Sequence, residues 1–119
     1  MPGINEHLKQ VEHNQKFFHV LQLLSRFFPD WLVTSQFYIA VHLVDAYLAT
    51  KGVHPTQHRL RGQHLSEDKK LLPIYSEYQD LENLSRDARY AVRYPNRQDL
   101  QDCAYSLTTI RSHIRRLLA

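Results

Sequence analysis

The sequence predicts an all-α fold: an antiparallel up-and-down bundle of four long helices plus one short helix, forming a single domain over residues 1–119. Three observations predict it. Apolar residues recur at spacings of three and four along the whole chain. The 119 residues include three Gly and five Pro, too few breakers for a turn-rich β protein. No stretch alternates apolar and polar residues in a way that a helix does not explain better. Hydrophobic residues make up 43% and charged residues 23%, an ordinary globular composition for one core.

The elements follow in order. Ile4, Leu8, Val11, Phe18, Leu21 and Phe28 predict a first helix over about 4–28, stopped by Pro29. Phe37, Ala40, Val41, Val44 and Leu48 form the stripe of a second helix over about 31–51, with Gly52 as its C′ residue and Pro55 beyond. A short helix is expected over 58–66, with Thr56 as N-cap. Ile74, Tyr78, Leu81, Ser85, Ala88 and Val92 repeat at 4-3-4-3-4 in a fourth segment over about 72–92, the seam of an antiparallel bundle. Tyr94-Pro95-Asn96 is a turn. The last helix starts near Arg97, with Leu100, Ala104, Leu107, Ile110 or Arg111, Ile114 and Leu117 on one face and Arg111, Arg115 and Arg116 near its C-terminal end. Phe17, Phe18, Phe27, Phe28, Trp31, Phe37 and Tyr78 are expected to pack the core. Cys103 falls near the stripe of the last helix and is expected to be buried and inert.

Fifteen Lys+Arg against twelve Asp+Glu give a net charge of +3. The surplus lies wholly in residues 59–119, where nine of the eleven bases are Arg, the side chain whose fork suits phosphate and carboxylate. No basic n-region with an apolar core opens the chain, and no uninterrupted apolar run approaches a membrane span, so no membrane association is expected. With one thiol, the cytoplasm is the expected compartment.

Three groups of residues carry chemistry. Tyr38, His42 and Asp45 stand at i, i+4 and i+7 on one helix face, as an acid/base row or as a polar seam that fixes register. The stretch 54–64 packs His54, His58, His64, Arg59 and Arg61 into eleven residues. Arg59 and His64 would sit about 140° apart on an unbroken helix, and would meet only through a break near Gly62 or across two chains. His54 and His58, at i and i+4, form a metal set with His42 or His64; with Pro55 between them and no Cys or acidic group near in sequence, no metal and no cofactor is expected. Arg86, Arg89 and Arg93 share a face of the fourth segment, with Glu82 placed to pair with Arg86, as a solvated face or a strip for phosphate. There is no Gly-rich phosphate loop, Gly-x-Ser-x-Gly or His-Glu-x-x-His, so the common kinase, dehydrogenase and hydrolase readings drop out.

Phe37-Tyr38-Ile39-Ala40-Val41-His42-Leu43-Val44-Asp45-Ala46-Tyr47-Leu48, then Gly52-Val53-His54-Pro55 and His58-Arg59, resembles small prokaryotic members of the HEPN superfamily (higher-eukaryote and prokaryote nucleotide-binding domain). Tyr78, Leu81, Ser85 and Ala88-Arg89-Tyr90 extend the likeness, which covers about residues 31–93. The resemblance implies a helical homodimer. It also implies either a binding module that accompanies a nucleotidyltransferase-like protein in toxin–antitoxin or defence systems, or a metal-independent RNase. The RNase members carry Arg-x4-6-His, with Arg on the scissile phosphate and His on the 2′-hydroxyl proton; here the pattern fits only Arg59 and His64. Leu60 follows the Arg where those members usually carry a polar residue, and the motif directly follows the second helix instead of lying on a later one. Three functions are therefore expected in this order: a module binding RNA, a nucleotide or a protein partner; an RNase; a helical scaffold.

Overall fold

The computed structural model describes residues 1–119 and is all-helical, without strands. Helix α1 covers Ile4–Gln22, α2 Pro29–Ala49, α3 His58–Glu67, α4 Tyr75–Tyr90 and α5 Arg97–Leu118. A 3-10 turn, Leu72–Ile74, leads into α4.

Helix ends follow local chemistry. α1 stops six residues before the expected Phe28, because its bonds tighten to the i−3 type at Leu23, Leu24 and Ser25. Phe28, held out of helical geometry by the following proline, then caps α2, and Pro29 takes the first helical position, where its missing N–H costs nothing. At the other end of α2, Gly52 adopts φ +70°, as expected of a C′ glycine. Val53 N–H bonds Leu48 O at 3.0 Å and Gly52 N–H bonds Ala49 O at 3.1 Å, the paired bonds of a Schellman motif. The α3 N-cap is Gln57, not Thr56, and makes no side-chain cap. Pro73 keeps Leu72–Ile74 in the 3-10 turn, so α4 starts three residues later than expected. Asn96 Oδ1 accepts from Asp99 N–H at 2.8 Å and Asp99 Oδ2 accepts from Asn96 N–H at 2.9 Å, a reciprocal cap that starts α5.

The second helix organises the rest. α2 is apolar enough by length and composition to cross a membrane, which the short uninterrupted apolar runs of the sequence do not suggest. In the fold that surface is covered: α2 packs against α1, α4 and α5, and α4 packs on α5. Phe37, Ile39, Val44 and Leu48 of α2 meet Tyr78 and Leu81 of α4 and Leu107, Ile110 and Ile114 of α5 in one core. Cys103 lies in that core, where burial pushes its thiol up to about 12 and makes it unreactive at neutral pH. The backbone of α1 approaches only that of α2. A groove of about 400 Å³, lined by Leu8, Val11, Leu43 and Ile114, therefore separates α1 from α5.

Burial corrects the expected core in several places, Ala104 of the last stripe, which is exposed, among them. Of the seven aromatics, Phe37 and Tyr78 are fully enclosed and Phe18 is half-buried, whereas Phe17, Phe27, Phe28 and Trp31 are exposed at the end of α1 and the start of α2. Ile4 and Leu8 are also exposed, and His7, Val11 and Leu21 are the residues that α1 buries. Val92 is exposed as well, in the left-handed region at φ 53°, so the seam of α4 ends at Ala88.

Candidate functional site

The polar residues of the second, third and fourth helices converge. Asp45 is buried on α2, and burial of a carboxylate demands a partner. Arg61 of α3 supplies it: Nε donates to Oδ1 at 2.7 Å and Nη2 donates to Oδ2 at 3.0 Å, a two-point pair with both side chains nearly out of solvent. Burial works against the charge on Arg61, and Asp45 more than offsets it, raising the guanidinium above its ordinary value. Nη2 also donates to Pro55 O, tying the loop before α3 to the pair. Nη1 donates to His58 Nδ1 at 3.2 Å. Arginine can only donate, so His58 carries its proton on Nε2. Partial burial, then the Arg61 cation, lower the His58 pKa.

A row on α4 closes the other side. Tyr78, Glu82, Ser85 and Arg89 follow one another at 4-3-4, so they share a face. The Tyr78 hydroxyl lies beside Arg61, and together with Glu82 Oε2 and Ser85 Oγ it is buried without a hydrogen bond. Burial pushes the Tyr78 hydroxyl pKa up. Arg89 Nη1 donates to the Tyr38 hydroxyl at 3.1 Å, and Nε donates to Ser85 O at 3.3 Å. The guanidinium lies 5.8 Å from the Phe37 ring centroid, 5.7 Å from that of Tyr38 and 5.1 Å from that of Tyr90, within cation–π range of all three. It has no carboxylate partner.

Beside Arg89 lies a hollow of about 210 Å³ lined by Asp30, Trp31, Thr34, Ala88 and Arg89. A second, of about 340 Å³, shares Trp31 and Thr34 with it and is lined further by Gln10, Asn14, Phe17, Ser35, Tyr38 and His42. Trp31 is 54% exposed between them. At the inner end, His42 Nδ1 lies 3.0 Å from His7 Nδ1 of α1. Burial lowers the pKa of both imidazoles.

Six of the residues expected to act are thus gathered by direct contacts in the chain of partners above: Tyr38, His42, Asp45, His58, Arg61 and Arg89. His54, on the loop before α3, is half-buried with its Nδ1 unpartnered. The Tyr38–His42–Asp45 row does share one face, but each member bonds a different helix, so it is not a relay. Arg59 and His64 do not meet within the chain. α3 runs unbroken through Gly62, so Arg59 faces a hollow with Tyr75, Gln79 and Glu82, while His64 faces one with Leu48, Val53 and Lys70. The expected Glu82–Arg86 pair does not form; Arg86 donates instead to Asn83 Oδ1 at 2.7 Å. Arg93 lies beyond the end of α4, 3.5 Å from Asp87, and does not continue the line of Arg86 and Arg89.

Three site residues carry no obvious mark in the sequence. His7 stands four residues before Val11, on the inward side of α1, and that spacing was the available signal. Tyr78 belongs to the apolar seam, and Glu82 is placed to pair with Arg86, so neither reads as a site residue. Comparison with protein-family models, with curated proteins and with solved structures finds no match for the chain.

Proposed function

We propose that the chain is a HEPN-type binding module that holds single-stranded RNA, or a nucleotide of it, in the paired hollows around Trp31. One observation carries the reading: Arg89 is fixed by Tyr38 and Ser85 over aromatic rings, has no carboxylate partner, and borders a hollow that a half-exposed tryptophan also lines. A base needs a π-face, and Trp31 offers one. The adjoining phosphate needs N–H donors, and Arg89 offers them at a fixed position. Gln10 and Asn14 border the larger hollow with amide groups suited to a base edge. Asp30 also lines the smaller hollow, and favours a ligand whose phosphate sits at Arg89 over one that spreads charge across the floor.

Binding is the activity proposed, since within one chain Arg59 and His64 face different hollows and form no joint centre. A labelled single-stranded RNA followed by fluorescence anisotropy tests it. Arg89→Ala is expected to weaken binding about tenfold and to reduce the slope of log affinity against log salt by about 0.7, the share of one phosphate contact on a single strand. Unchanged affinity and slope would remove Arg89 from the interface.

The same proposal takes the four long helices as the up-and-down bundle of that family and places a second copy against the open side of α1. Val20 at the end of α1 and Leu23, Leu24 and Phe27 in the turn after it are exposed, Leu23 at 84%, a run of large apolar side chains that monomers rarely leave in water. Light scattering is expected to give twice the 14.1 kDa of one chain, and Leu23→Glu to return it to that value. A wild-type mass of one chain would contradict the dimer.

A further inference from the structure

We propose that His7, His42 and Asp45 form a site for a zinc-class dication that staples α1 to α2. His7 Nδ1 and His42 Nδ1 are 3.0 Å apart, and with a carboxylate oxygen of Asp45 the three ligand atoms lie within 4.8 Å of one another. Tetrahedral zinc with nitrogen and oxygen bonds near 2.0–2.1 Å sets its ligand atoms about 3.3 Å apart. The two imidazoles already stand at nearly that separation. His42 and Asp45 are three residues apart on one helix, a spacing that aims both side chains at the same point.

The surroundings suit a metal in two further respects. Arg61 grips both oxygens of Asp45 and fixes the carboxylate's direction, as the outer partners of metal ligands do, while each oxygen keeps a free lone pair. His54, on the loop before α3, has a buried Nδ1 without a partner. Two nitrogens and one carboxylate favour zinc or cobalt over magnesium or calcium. Water takes the fourth position.

The consequence is structural. α1 packs on α2 alone, and His7 is one of only three residues that α1 buries. A metal shared between His7 and His42 would hold the start of α1 in place, and its binding free energy would add to the stability of that docking.

Titration of the full, chelator-treated chain with zinc in a calorimeter, and with cobalt by visible absorption, tests the site. One zinc per chain is expected, with a rise of several degrees in Tm at excess zinc. His7→Phe, which keeps a ring in the buried position, and His42→Ala should each weaken binding roughly tenfold or more and abolish the Tm shift. His13→Ala, an exposed histidine elsewhere on α1, should change neither. Absence of saturable zinc binding by the folded chain would overturn the proposal, and so would binding that survives both His7→Phe and His42→Ala. Variants are read only after their helical circular dichroism matches the wild type; His42→Gln, which keeps a polar side chain without an imidazole, replaces either His variant that fails to fold, and Asp45→Asn, which strands the buried Arg61 charge, is read only where it folds. Zinc binding that survives Asp45→Asn undiminished would contradict the ligand set.

Discussion

Arg61→Ala is expected to destabilise the fold by about 3–5 kcal/mol, because it leaves the Asp45 carboxylate buried without a counter-charge. The guanidinium makes four contacts: two to Asp45, one to His58 and one to Pro55 O. Its loss therefore frees the loop before α3 as well as stranding a charge. Urea denaturation reads the effect as a lower midpoint at an unchanged m-value. Asp45→Leu combined with Arg61→Met should recover most of the loss, since removing both charges also removes the cost of burying them. A double variant no more stable than Arg61→Ala would mean that the contacts to His58 and Pro55, not the ion pair, hold α3 against α2.

Phe37→Ala is expected to cost about 3–5 kcal/mol, the range for deleting an enclosed aromatic ring. Phe37 is fully buried, with ring centroids 5.4 Å from Tyr38, 5.3 Å from His58 and 5.7 Å from Tyr78. It is the one core ring that also supports Arg89. RNA affinity is therefore expected to fall even at temperatures where the variant remains folded. Tyr90→Ala separates the two effects. Tyr90 also lies against Arg89, but it is 74% exposed, so its removal should change stability by less than about 0.5 kcal/mol. If Phe37→Ala and Tyr90→Ala destabilise equally, the core as described is wrong.

Much of the fold was legible because helix ends obey local rules. Pro29, Gly52, Pro55, Pro95 and Asn96 mark the breaks, and each lies at or beside one in the structure. What misled was the count of apolar residues on α1. Val11, Phe18 and Leu21 of the expected stripe do face inward, but at the start of the helix the inward position belongs to polar His7, and the more apolar Ile4 and Leu8 are exposed. The exposed aromatics misled for the same reason. Phe17, Phe27, Phe28 and Trp31 are core residues by type, but they lie at the end of α1, in the turn after it and at the start of α2, where no further helix covers them.

The site was legible along α2 and not across helices. Spacing alone put Tyr38, His42 and Asp45 on one face. Their partners come from 16, 35 and 51 residues away, and nothing in a helical period shows which helix will face which. Arg59 and His64 show the converse. Five residues on an unbroken helix separate them by most of a half-turn, whatever motif they match.

Trp31 allows the most direct test of the binding account, because it is the single tryptophan in the chain and lies between the two hollows. Its emission should be followed during titration with a short single-stranded RNA at low salt, in the wild type and in Arg89→Ala. The account predicts saturable quenching as a base stacks on the indole, weakened about tenfold in Arg89→Ala. Emission that stays constant in the folded wild type while RNA is raised to high excess would contradict it.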